Sequence, residues 1–433
     1  MSGHDRLARR LGLRDAVVIG VGSMIGAGIF AAFGPAARAA GGWLLLGLAI
    51  AAVIAWANAT ASAQLAAVYP ASGGTYVYGR ERLGPWWGFT AGWGFVIGKT
   101  ASCAAMALTF AAYAVLGPEW LQRAVAVTAV LALAGLNLRG VTRTAALTRV
   151  LVTVTLVCLA ILVVGLWAGH DGGLSRIAGG ATPDPGGPLG VLQAAGLLFF
   201  AFAGYARIAT MGEEVVQPRT TIPRAITLAL GIAVVVYAVV GVTVLAAVGP
   251  ATLAASSAPL ADAAHTVGAD ALGPVVRVGA AVASLGALLA LIAGIGRTSL
   301  AMARNRDLPS WLAAVHPRHR VPHHAELALA GVVSALVLTT DLRSVIGFSS
   351  FGVLIYYAIA NAAAFTQPAE DRRWPRAFNV VGIDGCLLLV VTLPGVSVLA
   401  GIAMFAVGLV GRALVLRHRS STGRTDVTSW PDG

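Results

Sequence analysis

Lysine occurs once in this chain, as Lys99 in the otherwise apolar string GWGFVIGKTASCAAM. An ammonium at the centre of a bilayer costs at least about 2.5–3.5 kcal/mol on insertion scales, so a lysine kept at that depth faces the protein interior and serves a function by default. Two kinds of chemistry are open to it. It can carry a coupled proton, or it can take the place of a bound cation by donating to backbone carbonyls. A structural lysine that snorkels or caps carbonyls is the plainer alternative. No carboxylate stands at similar depth in the string to pair with it.

Two glycine-bearing strings offer chemistry of another kind. GVGSMIGAGIF holds Gly20, Gly22, Gly26 and Gly28, and GLLFFAFAGYAR holds Gly196 and Gly204. Small residues four apart suit close helix packing in a membrane, which is one account of Ser23 and of Gly26 to Gly28. Glycine also weakens a helix. The second account is a pair of discontinuous helices at matching places in two halves of the chain, the sequence pointer to a transporter's midplane site. Unwound backbone there exposes N–H and C=O groups that lipid penalises and a solute can satisfy. Free N–H groups at a half-helix N-terminus suit a carboxylate. Free carbonyls at a half-helix C-terminus suit an ammonium or a metal cation. One pocket with both matches an α-amino acid zwitterion.

Such strings need membrane spans to position them, and the composition supplies these. Of 433 residues, 58% are apolar and 11% charged, with a mean hydropathy of +0.81. That much apolar surface must face lipid. Hydropathy predicts an all-α integral membrane protein of about twelve transmembrane helices, from 16–38 to 395–415. The ninth (325–340) and eleventh (378–393) are short. The first apolar stretch is too long for a cleavable signal.

The net charge of +12 reads as topology. Arg6, Arg9, Arg10 and Arg14 precede the first span, and the even-numbered loops carry Arg80, Arg82, Arg139, Arg143, Arg219, Arg224, Arg304, Arg306, Arg318, Arg320, Arg372, Arg373 and Arg376. The opposite loops carry little more than Arg38, Arg123, Arg176 and Arg343. The positive-inside rule then puts both termini in the cytoplasm and the chain, multi-pass, in the cytoplasmic (inner) membrane. No basic patch interleaved with aromatics suggests nucleic acid. Cys103, Cys158 and Cys386 lack paired spacing and read as packing residues. The sequence holds no nucleophile elbow, phosphate loop or zinc-ligand helix, so no enzyme and no cofactor is expected.

Three stretches give the chain a resemblance to the amino acid–polyamine–organocation (APC) superfamily of permeases: GSMIGAGIF at 22–30, FFAFAGYARIATMGEEVVQPRTTIPRAI at 199–226 and GRTSLAMARNRDLP at 296–309. The resemblance implies a LeuT-like 5+5 inverted repeat with helices 1 and 6 broken. The divisions it implies are a cytoplasmic tail at 1–15, a first repeat at 16–168, a second at 190–366, peripheral helices at 378–415 and a second cytoplasmic tail at 416–433. By motif match, Ser23, Ile25, Gly26, Ala27 and Gly28 line the substrate carboxylate side. Phe199, Phe202, Ala203 and Gly204 line the amino-group and side-chain side, with Phe202 or Tyr205 as a thin gate.

The sequence also departs from the family pattern. Where many members have an acidic residue after the glycine–aromatic pair of helix 6, this chain has Ala206 and then Arg207, which favours a neutral amino acid over a cationic one. The helix-5 lysine of several proton-coupled or sodium-independent members falls on Thr155. The middle of helix 8, GALLALIAGI, lacks the hydroxyl pair of sodium-coupled relatives, with Thr298 and Ser299 lying further along. The driving ion is left unnamed by these motifs, with a proton favoured over sodium and Lys99 the coupling candidate. Arg207, Glu213 and Glu214 are candidates for an inner gate, or a simple ion pair near the cytoplasm. Asn58, Thr60, Ser62 and Gln64 read as glue between helices, and the histidines at 316, 319, 323 and 324 as a solvated basic loop. The expected function is secondary transport of an amino acid by alternating access, as symport. The alternatives are an amino acid or amine exchanger or exporter (antiport), and, in another class, a membrane sensor or channel. The partners expected are the substrate and the bilayer; the oligomeric state is not specified.

Overall fold

The computed structural model describes residues 11–70, 73–139, 145–168, 186–211, 214–319 and 321–421. Among them the regular structure is helical, and the one bridge of β type is an isolated parallel pair, Leu11 with Val215. Both expected tails, 1–15 and 416–433, lie partly outside the described residues.

In chain order the helices are α1 (Leu13–Met24), α2 (Ala27–Ala31), α3 (Phe33–Ala40), α4 (Leu44–Val68), α5 (Thr75–Leu83), α6 (Pro85–Ala114), α7 (Glu119–Leu138), α8 (Ala145–Ala168), α9 (Gly187–Phe202) and α10 (Ala206–Ala209). They continue with α11 (Pro218–Ala255), α12 (Pro259–Thr266), α13 (Gly273–Arg304), α14 (His323–Thr339), α15 (Leu342–Phe365), α16 (Arg376–Thr392) and α17 (Gly395–Ser421). Ten stretches among the described residues are long and apolar enough to cross a bilayer, which makes this a multi-pass membrane protein. Each falls on an expected span. The expected spans at 325–340 and 378–393 fall on α14 and α16, of 17 residues each. At 1.5 Å per residue these reach about 25 Å, just short of a hydrocarbon core of about 30 Å. The long α11 turns at Gly249 (φ 73) before Pro250, where the expected seventh span stops.

Burial sorts the helices into a centre and a periphery. The most apolar windows of α6 and α15 are 83% buried, whereas that of α17 is 17% buried. On α17, Val396, Leu399, Ile402, Val407 and Val410 are exposed, as lipid-facing residues are. The contact between α6 and α15 depends on small residues, as interfaces in lipid do. A Cβ on Gly98 would sit 3.2 Å from the Ser349 carbonyl, and one on Gly352 would sit 2.7 Å from the Gly94 carbonyl. The hydroxyls of Ser102 and Ser349 meet at 2.6 Å across it. This close seam fixes the height and rotation of Lys99.

Polar residues join α4 to the same centre. Asn361 donates to the Asn58 side chain at 2.6 Å, Asn58 lies 3.2 Å from Cys386 Sγ, and Gln64 donates to the Ala364 carbonyl at 3.3 Å. Asn58 and Gln64 thus bind helix to helix as expected, whereas Thr60 donates to Ala57 O of its own helix and the Ser62 hydroxyl has no partner among the described residues. Past the end of α13, Asp307 gathers Arg412 of α17 at 2.7 Å, Arg80 of α5 at 3.6 Å and the Tyr76 hydroxyl at 2.8 Å.

Candidate functional site

The first break follows α1. Ile25 (φ −79, ψ 51) and Gly26 (φ −98, ψ −138) leave the helical region, and helix resumes at Ala27. A break here costs α1 its last carbonyl partners, and Tyr237 of α11 supplies one. The Tyr237 hydroxyl lies 2.6 Å from the Met24 carbonyl and 2.9 Å from the Ala201 carbonyl. With a single proton it fully satisfies one of the two at a time. Ser23 donates back to Ile19 O at 2.8 Å, so its oxygen remains free to accept.

The second interruption, at the end of α9, is milder, with right-handed helical backbone on both sides of it. The chain tightens to a 3-10 turn at Ala203–Tyr205 and continues as α10. Two side chains hold the Ala203 carbonyl: Lys99 Nζ donates at 3.3 Å and the Tyr357 hydroxyl at 3.2 Å. The buried amine of Lys99 thus lies at the α9 break. Thr155, the position that matches the family's helix-5 lysine, lies elsewhere. It lines a small crevice with Gly22, Ile25 and Ala283 beside the first break, and its hydroxyl donates to Leu151 O at 2.9 Å.

The two breaks press on each other. A Cβ at Gly204 would run into the Ser23 carbonyl, and one at Gly28 would sit 2.6 Å from Ala201 Cα. Between these breaks, α6 and α13 lies a cavity of about 100 Å³, on a scale where one water takes roughly 10–15 Å³. That is room for a solute of a few non-hydrogen atoms to about ten. Of the residues singled out from sequence, Ser23, Gly28, Lys99, Ala203, Gly204 and Arg207 line it. Its other polar groups are Ser102, Thr210, Arg297 and Thr298. Among the described residues, no carboxylate lines it.

Several expected residues do not reach this cavity. Phe199 packs edge-on against Tyr357 at 5.7 Å, Phe202 packs on Tyr237 at 5.0 Å, and Tyr205 packs on Tyr357 at 5.0 Å. The reason is helical facing. Positions 199, 202 and 205 share one side, while 200, 203, 204 and 207 share the other, so the ring that α9 gives the cavity wall is Phe200. Ile25 turns to the Thr155 crevice, and Gly26 approaches Ala287, to which an added Cβ would come within 2.7 Å. Ala27 is buried at the first position of α2 and does not line the cavity. Glu213 lies outside the described residues.

Sequence reasoning missed Phe95, Ser102 and Met106 of α6 and Ala287, Leu291 and Gly294 of α13, all of them lining. A signal existed for α6: Phe95, Lys99, Ser102 and Met106 are spaced i, i+4, i+7 and i+11, one helical stripe through the only lysine.

A second, roomier cavity of about 240 Å³ adjoins the first. Ser23, Arg207 and Arg297 line both cavities, and Leu11, Asn137, Thr148 and Glu214 line the second alone. Glu214 Oε1 lies 3.4 Å from Arg297 Nη1. Leu11 N–H donates to the Glu214 carbonyl at 3.0 Å, which places this cavity at the face that bears the N-terminal segment.

Comparison with known proteins agrees with this architecture. The profile of the amino acid permease family matches residues 11–415. An uncharacterized transporter of Mycobacterium tuberculosis is 57% identical over 427 residues, 98% of this chain and 95% of that protein. A branched-chain amino acid permease of Bacillus subtilis is 26% identical over 451 residues, 97% of this chain and 95% of the permease. A chloroplastic cationic amino acid transporter of Arabidopsis thaliana is 28% identical over 386 residues, 84% of this chain and 66% of that protein.

Proposed function

The chain belongs to the amino acid permease family, and on that premise we propose that it is a secondary transporter of a small neutral amino acid, coupled to protons. In this reading twelve helices cross the cytoplasmic membrane, with both termini and the Arg297 face in the cytoplasm. Helices α1 to α8 and α9 to α15 are the two inverted repeats, and α16 and α17 lie outside them. The carboxylate meets the free N–H groups that follow the first break, beside Ser23 and Gly28. The ammonium and side chain lie toward Ala203, Gly204 and Phe200. Phe199 and Phe202 act one layer out, holding Tyr357 and Tyr237 against the breaks.

One observation carries the reading: the two interruptions meet at a single cavity, with Ser23, Gly28, Ala203 and Gly204 together in its wall. A solute there satisfies backbone that lipid would penalise. The charges of the wall support neutrality of the substrate. Among the described residues, Lys99, Arg207 and Arg297 line it and no acid does, so a cationic side chain would meet like charge. The substrate for which the Bacillus subtilis relative is named, a branched-chain amino acid, belongs to the same class. Alternating access follows if the repeats rock around the breaks.

Lys99 is the coupling group in this proposal. Charged, it anchors the Ala203 carbonyl and fixes the second break. After losing its proton it holds that carbonyl less strongly, because a neutral amine donates a weaker hydrogen bond than an ammonium. The test is uptake of labelled neutral amino acids into proteoliposomes, with and without an inward proton gradient, for wild type and Lys99→Ala. Uptake that follows the gradient and loses that response in the variant is the expected result. A Lys99→Ala protein that still accumulates substrate with the gradient removes Lys99 from coupling.

A further inference from the structure

We propose that Arg207 and Arg297 form a second, cytoplasm-side station for the carboxylate of the transported amino acid. The inference rests on the transport reading above and adds a step to it. Both arginines line both cavities, so they stand in the partition that a solute crosses on its way from the central site to the N-terminal face. Across the two linings the acid among the described residues is Glu214. Its 3.4 Å approach to Arg297 is well beyond the roughly 2.7–2.9 Å of a strong charged hydrogen bond. The Arg207 side chain makes no hydrogen bond or ion pair with any described residue. Among the described residues, the one carboxylate near the two arginines is thus loosely held, and by Arg297 alone.

A cation withdrawn from water without a partner is costly, and an entering anion relieves that cost. The planar fork of arginine matches a carboxylate through two parallel hydrogen bonds. The spacing suits a hand-over. Arg207 follows Gly204 by three residues, so its base lies about 5 Å further along the axis, at about 1.5–2.0 Å per residue through the 3-10 turn and α10. The space also widens there, from about 100 Å³ to about 240 Å³, so the solute regains water as it moves. A neutral amino acid has one anionic group, and it is that group which passes from the backbone of the first break to the arginines.

The test compares the two faces of the membrane. Labelled leucine uptake is measured in right-side-out and everted membrane vesicles bearing the full chain. The quantity read is the ratio of half-saturating concentrations, cytoplasmic face over external face. We expect Arg207→Gln and Arg297→Gln to raise that ratio about tenfold, and Arg297→Lys to raise it less. Equal changes on both faces, or an unchanged ratio, overturn the proposal. A second measurement does not depend on transport: thermal stabilisation of the purified protein by 4-methylpentanoate, which has the carboxylate and no ammonium. Stabilisation of wild type that is lost in Arg207→Gln/Arg297→Gln supports the station. Equal stabilisation by sodium chloride assigns the arginines to an inorganic anion and overturns it. A wild type that moves no amino acid refutes the transport reading, while the stabilisation measurement still decides whether the arginines hold a carboxylate.

Discussion

The two breaks differ in what holds them. At the first, Ile25 and Gly26 leave the helix among small neighbours, and the one side chain at the last carbonyl of α1 is the Tyr237 hydroxyl, which also faces Ala201 O. At the second, the Ala203 carbonyl takes two donors from two scaffold helices, Lys99 of α6 and Tyr357 of α15. The first break is thus backbone kept open by close packing, suited to meet a ligand directly. The second is a clamp in which one of the two donors is an amine. On the reading proposed above, binding and coupling are divided between these two halves of one site.

The largest effect should come from filling the place where the breaks meet. Gly204→Val puts branched carbon into the Ser23 carbonyl, and backbone on both sides leaves no room for relief. Transport should fall below detection while helix content by circular dichroism stays near that of wild type. Transport within tenfold of wild type would show that the breaks do not need to touch. Next comes Tyr237→Phe, which removes the one hydroxyl donor that Met24 O and Ala201 O share, at a cost of about 1–3 kcal/mol. Roughly tenfold weaker substrate binding, by equilibrium dialysis, is expected. Tyr357→Phe should cost less, because Lys99 still holds Ala203 O. Membrane hydrogen bonds average about 0.6 kcal/mol in double-mutant cycles, so a two- to threefold change is expected. A Tyr357→Phe effect larger than that of Tyr237→Phe would reverse the assignment of clamp and ligand face.

The smallest effect lies away from both breaks. Asp341 precedes α15 and accepts from the backbone N–H groups of Arg343 at 3.0 Å and Ser344 at 3.2 Å. Burial works to raise its pKa, but the hydrogen bonds from Ser344 and Arg343 outweigh it and hold the carboxyl below its ordinary value. The depressed pKa means that the stabilisation is present above the unfolded pKa and is lost as pH falls through the folded one. Asp341→Ala should cost about 1 kcal/mol, as lost N-caps do, and flatten the acid limb of a thermal-stability profile. Substrate affinity should not change. A changed affinity would mean that the α15 scaffold is soft enough to transmit strain to Tyr357.

The sequence made the helices legible because a bilayer imposes a length and a composition on each one. It pointed to the non-helical Ile25 and Gly26 for a related reason, since a run such as GVGSMIGAGIF conflicts with an uninterrupted helix; at the second place the helix only tightens to a 3-10 turn. Rotation about a helix axis was harder to read. Phe199 and Phe202 look equivalent to Phe200 by composition, and the choice of face depends on Tyr237 and Tyr357, which are distant in sequence. The bond from Lys99 to Ala203 O was legible only as a type of chemistry. Its partner depends on the seam of Gly94, Gly98 and Gly352 that seats α6 on α15. The α13 lining was hidden for the opposite reason: Ala287, Leu291 and Gly294 have no chemistry of their own and matter by position.

The central claim is that the two breaks make one amino acid site. Binding of labelled neutral amino acids to purified protein in detergent, for wild type and Gly204→Val, tests it most directly, because binding needs neither gradient nor turnover. The account predicts saturable binding of at least one neutral amino acid by wild type and none by a Gly204→Val protein that remains monodisperse. Equal binding by both proteins would place the site elsewhere and contradict the account.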